Sequence, residues 1–140
     1  MTPKEFNIVL QNTLNSCSEL LASKSKEYDF SSDRLHSFKA GAQLLDTNSV
    51  NTLLGYLTKH IMSVFDMAKD YDNFPMEKWD EKLLDCINYF ILLRALLMDE
   101  KNIFVREYFD TNKDKKSVSE TLSNAGMVLK RPTKEGVQNE

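Results

Sequence analysis

The sequence predicts an all-α protein: a bundle of four main helices followed by a polar, weakly structured C-terminal tail. Three observations carry this. Gly (4) and Pro (3) are scarce over 140 residues, so few positions interrupt a helix. Val, Ile and Thr never form the alternating runs that a half-buried strand needs. Apolar residues recur instead at steps of three and four, the spacing that lines one side of a helix.

The first helix is expected over about 3 to 28. Thr2 is placed to cap it, Pro3 sits at the first helical position where its missing N–H is harmless, and Glu5 can close a capping box. Phe6, Val9 or Leu10, Leu14, Cys17, Leu20 and Leu21 form its stripe. Asp29 to Asp33 then offers side chains that bond nearby backbone and break the pattern. A second helix over 33 to 45 carries Leu35, Phe38, Ala42 and Leu45, and Asp46 to Ser49 supplies its end and the next cap. The third, over 49 to 71, has Val50, Leu53, Leu54, Leu57, Ile61, Val64, Phe65 and Ala68 on one side, with Lys59, Ser63, Asp66 and Asp70 opposite. Pro75 ends it, because the residue before a proline is pushed out of helical geometry. The fourth, over 76 to 100, is apolar nearly all round between Leu83 and Met98, which places it in the middle of the bundle. Asn102 to Phe109 either continues it or turns back. The predicted division is a helical domain over 1–109 and a tail over 110–140, in which Ser117 to Glu120 caps at most one short helix.

The formal net charge of −3 leaves no global positive field for nucleic acid or anionic membrane. The tail lysines Lys113, Lys115, Lys116, Lys130 and Lys134 are interleaved with acids and lack aromatic partners, so no nucleic-acid platform is evident. No apolar run approaches the roughly 20 residues of a membrane span. Met1 to Leu10 lacks the basic start and apolar stretch of a signal peptide, so a cytoplasmic protein is expected. Two cysteines, Cys17 and Cys86, sit in apolar stripes and read as small buried hydrophobes. Glycine-rich phosphate loops, Gly-x-Ser-x-Gly elbows and His-Glu-x-x-His pairs are absent, which leaves P-loop hydrolysis, acyl transfer and zinc hydrolysis without support.

On the fourth helix Glu81, Asp85 and Asn88 fall at i, i+4 and i+7 and share one sector. Burying such carboxylates without a cation costs several kcal/mol. Glu81 and Asp85 are therefore candidate ligands of a hard cation such as Mg²⁺ or Mn²⁺, with Glu27 as a third carboxylate. The alternative is a salt-bridged face in which they meet Lys78, Lys82 or Lys59. His60 lies about 80° from the centre of the third helix's stripe at roughly 100° per residue. Beside Lys59 it suits either a phosphate contact or a half-buried structural role. Arg34 can fork onto a phosphate or pair with Asp33, Asp29 or Glu27. Trp79, Tyr89 and Phe90 suit base stacking or the core.

The order Lys-x-x-Glu-Tyr (Lys24 to Tyr28), Asp-Arg-Leu-x-x-Phe (Asp33 to Phe38), Lys-His (Lys59, His60) and Glu-Lys-Leu-x-Asp-x-x-Asn-Tyr (Glu81 to Tyr89) resembles small helical proteins frequent in phage genomes. These look like the nucleotide-modification-associated group, itself similar to the all-α nucleoside-triphosphate pyrophosphatases of the MazG-like kind. The resemblance spans about Leu20 to Met98. It implies cleavage of a (deoxy)nucleoside triphosphate between its α- and β-phosphorus, with Mg²⁺ held by carboxylates of two helices. Glu81 and Asp85 match the second acidic motif, though at i, i+4 where the pyrophosphatases carry Glu-x-x-Asp. The earlier helix offers Glu19 and Glu27 instead of Glu-x-x-Glu. Lys59, His60, Asn88, Arg34 and Tyr28 are the candidate substrate contacts.

Two readings follow: a Mg²⁺-dependent nucleotide pyrophosphatase or nucleotide-binding relative, or a non-enzymatic helical interaction protein, phage-encoded and acting on a host protein. Under either, four helices with wide apolar surfaces predict a homo-oligomer.

Overall fold

The structure is a computed structural model that describes residues 1–27 and 32–111; the predicted tail helix at Ser117 to Glu120 and Tyr28 lie outside the described residues. The chain is helical as expected: α1 (Pro3–Glu27), α2 (His36–Leu44), α3 (Ser49–Ala68), a 3-10 turn (Tyr71–Asn73), α4 (Met76–Glu100) and α5 (Val105–Thr111). Among the described residues there is no strand, and no helix is long and apolar enough to cross a membrane.

Local chemistry sets the helix ends. Thr2 and Glu5 form the capping box: Thr2 N–H donates to Glu5 Oε2 at 2.6 Å and Glu5 N–H donates to Thr2 Oγ1 at 3.3 Å. That pair holds the Glu5 carboxyl below its ordinary pKa, mainly through the Thr2 backbone bond. α2 begins three residues later than predicted because Asp33 uses its carboxylate to close a turn, accepting Leu35 N–H at 2.9 Å and Lys39 Nζ at 2.8 Å. It ends at Leu44, and Asp46 just beyond it takes a left-handed φ of 48°. Asn48 then caps α3, its Oδ1 accepting Asn51 N–H at 2.7 Å. α3 stops at Ala68, short of Tyr71, where Asp70, Asp72 and Asn73 favour the tight turn before Pro75. Asn102, with φ 51°, breaks the chain after α4. Asn102 to Phe109 therefore turns back, and Arg94 of α4 lies 5.0 Å from the Phe109 ring of α5.

The core gathers Leu35, Phe38, Leu53 and Leu96, with Val50, Tyr89, Leu92 and Leu93 packed around them. Leu53, Leu57 and Leu96 are fully buried, and burial of each side chain is worth about 1.5–3 kcal/mol. α3 makes the broadest contact with α4, α2 lies on α3, and α1 touches α4 over a shorter length. α2 and α3 approach closely at Gly41, where a Cβ would sit 2.9 Å from Thr52 Cγ2.

Three expectations about burial are corrected. α4 is apolar all round but not enclosed all round: Asn88 and Leu96 are its buried residues, while Leu83, Phe90, Ile91 and Leu97 are exposed. α1 and α3 are its main neighbours, and on the outer side Arg94 meets Phe109 of α5. On α1, Cys17 is buried as predicted but Phe6, Val9 and Leu14 are exposed, because the contact with α4 covers part of the helix. Leu45 and Phe65 also face outward.

Candidate functional site

A cavity of about 390 Å³ opens where the four long helices converge. Leu21 and Lys24 reach it from α1, Arg34 from the turn before α2, Ser37 and Phe38 from α2, Tyr56 and Lys59 from α3, and Asp85, Asn88, Tyr89 and Leu92 from α4. Its volume falls in the range of small-molecule sites, and its wall mixes rings with convergent polar groups.

Asp85 is the charged centre of the α4 wall. Its side chain is 14% exposed, its Oδ1 lies 3.4 Å from Lys24 Nζ, and its Oδ2 lies 3.1 Å from His60 Nδ1. The expected salt-bridged alternative thus holds with a different lysine: Lys24, which stands on the α1 apolar stripe. His60 comes at Asp85 from behind the cavity wall, with its ring 5.1 Å from that of Tyr89. Burial pushes the His60 pKa below 6.5; Asp85 opposes this, and Lys59, Lys82 and Lys24 reinforce it. Burial thus favours the neutral imidazole.

Asn88, one turn on, is 5% exposed, and neither its Nδ2 nor its Oδ1 has a hydrogen-bond partner among the described residues. A buried donor or acceptor left unpaired costs about 1–3 kcal/mol. Around the opening stand Arg34 and Lys59, both exposed. Arg34 Nη2 donates to the Leu21 carbonyl at 3.1 Å, which holds the guanidinium beside the end of α1. Three cations thus face one carboxylate in a chain whose net charge is −3. On the rings' side, Tyr56 packs against Phe38 with centroids 6.0 Å apart.

The structure therefore brings Arg34, Lys59, Asp85 and Asn88 together and places His60 behind them. Glu81 does not join them. It is exposed and tied to Lys78 at 2.9 Å and Lys82 at 2.7 Å. The hydrogen bonds from Lys82 and then Lys78 lower its pKa to about 2. The shared sector with Asp85 is real, but near the start of α4 two neighbouring lysines satisfy Glu81 locally. Glu27 closes α1, and its side chain, like all of Tyr28, lies outside the described residues.

Among the described residues no three His, Cys, Asp or Glu side chains come together to hold a metal ion. Both Asp85 oxygens already have partners, one of them a cation. The described donor set does not by itself form a Mg²⁺ site. Sequence reasoning missed Lys24, Ser37 and Tyr56 as cavity residues. Lys24 was detectable as a lysine seven residues after Cys17 on an apolar stripe, and Tyr56 as the aromatic one turn before Lys59.

No family model matches the chain, and neither a curated protein nor a solved structure matches it.

Proposed function

We propose that this protein binds a nucleotide in the cavity, with Arg34 and Lys59 at its rim taking the phosphates. The observation that carries the reading is the cationic, aromatic-walled cavity in an otherwise acidic chain. Arg forks onto phosphate oxygens and Lys adds a point charge, while Tyr56 and Tyr89 supply ring surface for a base. Hydrolysis would need a divalent ion at Asp85 after displacement of Lys24, and Asp85's existing partners favour the binder over the hydrolase. The four dNTPs and four NTPs should bind by calorimetry without metal, and Lys59→Ala should weaken binding about tenfold, the loss of one charge-assisted contact of roughly 1.4 kcal/mol. Absence of binding at millimolar nucleotide would sink the proposal. Pyrophosphate release in Mg²⁺ or Mn²⁺ would restore the hydrolase.

We propose that a homo-oligomer forms through the outer side of α4. At about 100° per residue, Leu83, Ile87, Phe90 and Leu97 fall within a sector of about 80° on the side of α4 opposite Asp85 and Asn88. Their steps of four, three and seven follow a helix-packing seam, interrupted at Arg94, whose guanidinium turns onto the Phe109 ring of α5. Asp80 and Lys101 stand near its two ends, with no ion-pair partner among the described residues. An antiparallel second copy brings each Asp80 towards the other's Lys101, so the occupant is a second α4 in a two-fold dimer. Phe90→Glu should convert a dimeric mass by light scattering to a monomeric one; a monomeric wild type refutes it.

A further inference from the structure

Asn88 is the polar group of the cavity that no residue of the described protein satisfies: it is 5% exposed and both atoms of its carboxamide lack partners. We infer that Asn88 reads the base of the bound nucleotide, pairing its Oδ1 and Nδ2 with a heterocycle edge that presents one donor and one acceptor side by side. This rests on the nucleotide reading of the cavity and adds to it the direction in which the ligand enters.

Depth decides that direction. Arg34 and Lys59 are exposed at the rim, whereas Asn88 and Phe38 are buried. A phosphate pushed down to Asn88 would meet the Oδ1 lone pairs and the Asp85 carboxylate, both repulsive to an anion. A flat uncharged ring meets Phe38 and the side chain of Tyr89 instead, and leaves its phosphates at the cationic rim. An asparagine amide carries an acceptor and a donor at fixed separation and can turn over to present them in either order. Its complements are the N3–H and O4 of uracil or thymine, the N3 and N4 amine of cytosine, the N1 and N6 amine of adenine, and the N1–H and O6 of guanine. Groups lacking such an edge, inorganic tripolyphosphate among them, leave the amide unpaired and lose that contribution.

The test is calorimetric titration of the full chain with each dNTP and with inorganic tripolyphosphate, for wild type, Asn88→Leu and Asn88→Asp, each variant checked by circular dichroism. The wild type should bind at least one dNTP ten times or more tightly than tripolyphosphate. Asn88→Leu, close in volume and without polar atoms, should lower that ratio, leaving only the preference that ring stacking supplies. Should the leucine variant fail to fold, Asn88→Asp, which loses the donor and weakens every anion alike, is read by the ratio alone, which should likewise fall. A wild type that binds dNTPs and tripolyphosphate equally, or variants that keep the wild-type ratio, overturns the role of Asn88 and leaves the phosphate-binding cavity standing. Absence of binding by any of these probes overturns both.

Discussion

Replacing Asp85 with asparagine separates the two accounts of its charge. The substitution keeps the shape and one oxygen 3.1 Å from His60 Nδ1, while the attraction to Lys24 at 3.4 Å is lost. Were both partners enclosed, stranding the cation would cost about 3–5 kcal/mol. The Lys24 side chain is 44% exposed, however, and can turn to water. A loss of about 1–2 kcal/mol is therefore expected, between an exposed ion pair and a buried one, or roughly 4–10 °C in Tm. Thermal melts of wild type and variant, each with and without Mg²⁺, supply the readout, and Lys24→Met completes a double-mutant cycle whose coupling should be about 0.5–1 kcal/mol. If Mg²⁺ raises the wild-type Tm and Asp85→Asn abolishes that rise, a metal and not Lys24 satisfies the carboxylate, and the reasoning fails. A coupling of zero refutes it as well.

Acid should destabilise the protein through His60. Its folded pKa lies below the ordinary 6.5 because burial disfavours the imidazolium. The unfolded chain therefore takes up a proton first; stability is complete above about 6.5 and falls as pH drops towards the folded value. Melts from pH 7.5 to 5.0 should show this slope, and His60→Gln should flatten it; an unchanged slope refutes the assignment. The two helical glycines should respond differently to alanine. At Gly55 a Cβ meets nothing within 4 Å, so Gly55→Ala should stabilise by about 0.5–1 kcal/mol. At Gly41 the Cβ would press on Thr52 Cγ2 at 2.9 Å, and overpacking of about 1–3 kcal/mol outweighs that gain; denaturant melts in which both variants gain equally would contradict the close approach of α2 and α3.

What the sequence determined by itself is the four main helices and the starts of α1, α3 and α4, because those depend on groups within a turn of one another. Thr2 and Glu5 close their box, and Asn48 caps α3, whatever the rest of the chain does. The stripe on α4 likewise marked Asp85 and Asn88 as polar groups among apolar neighbours, and both stand in the cavity. Tertiary structure alone decided who meets them. Lys24 lies 61 residues from Asp85 and reaches it only because α1 packs on α4, whereas Glu81, one turn before Asp85, is satisfied by Lys78 and Lys82 and stays in water. Periodicity shows which residues share a side of a helix. It does not tell which side a neighbour covers, and so α4, apolar all round, could be recognised as central in sequence while its outer stripe of Leu83, Phe90 and Leu97 stands open in the fold.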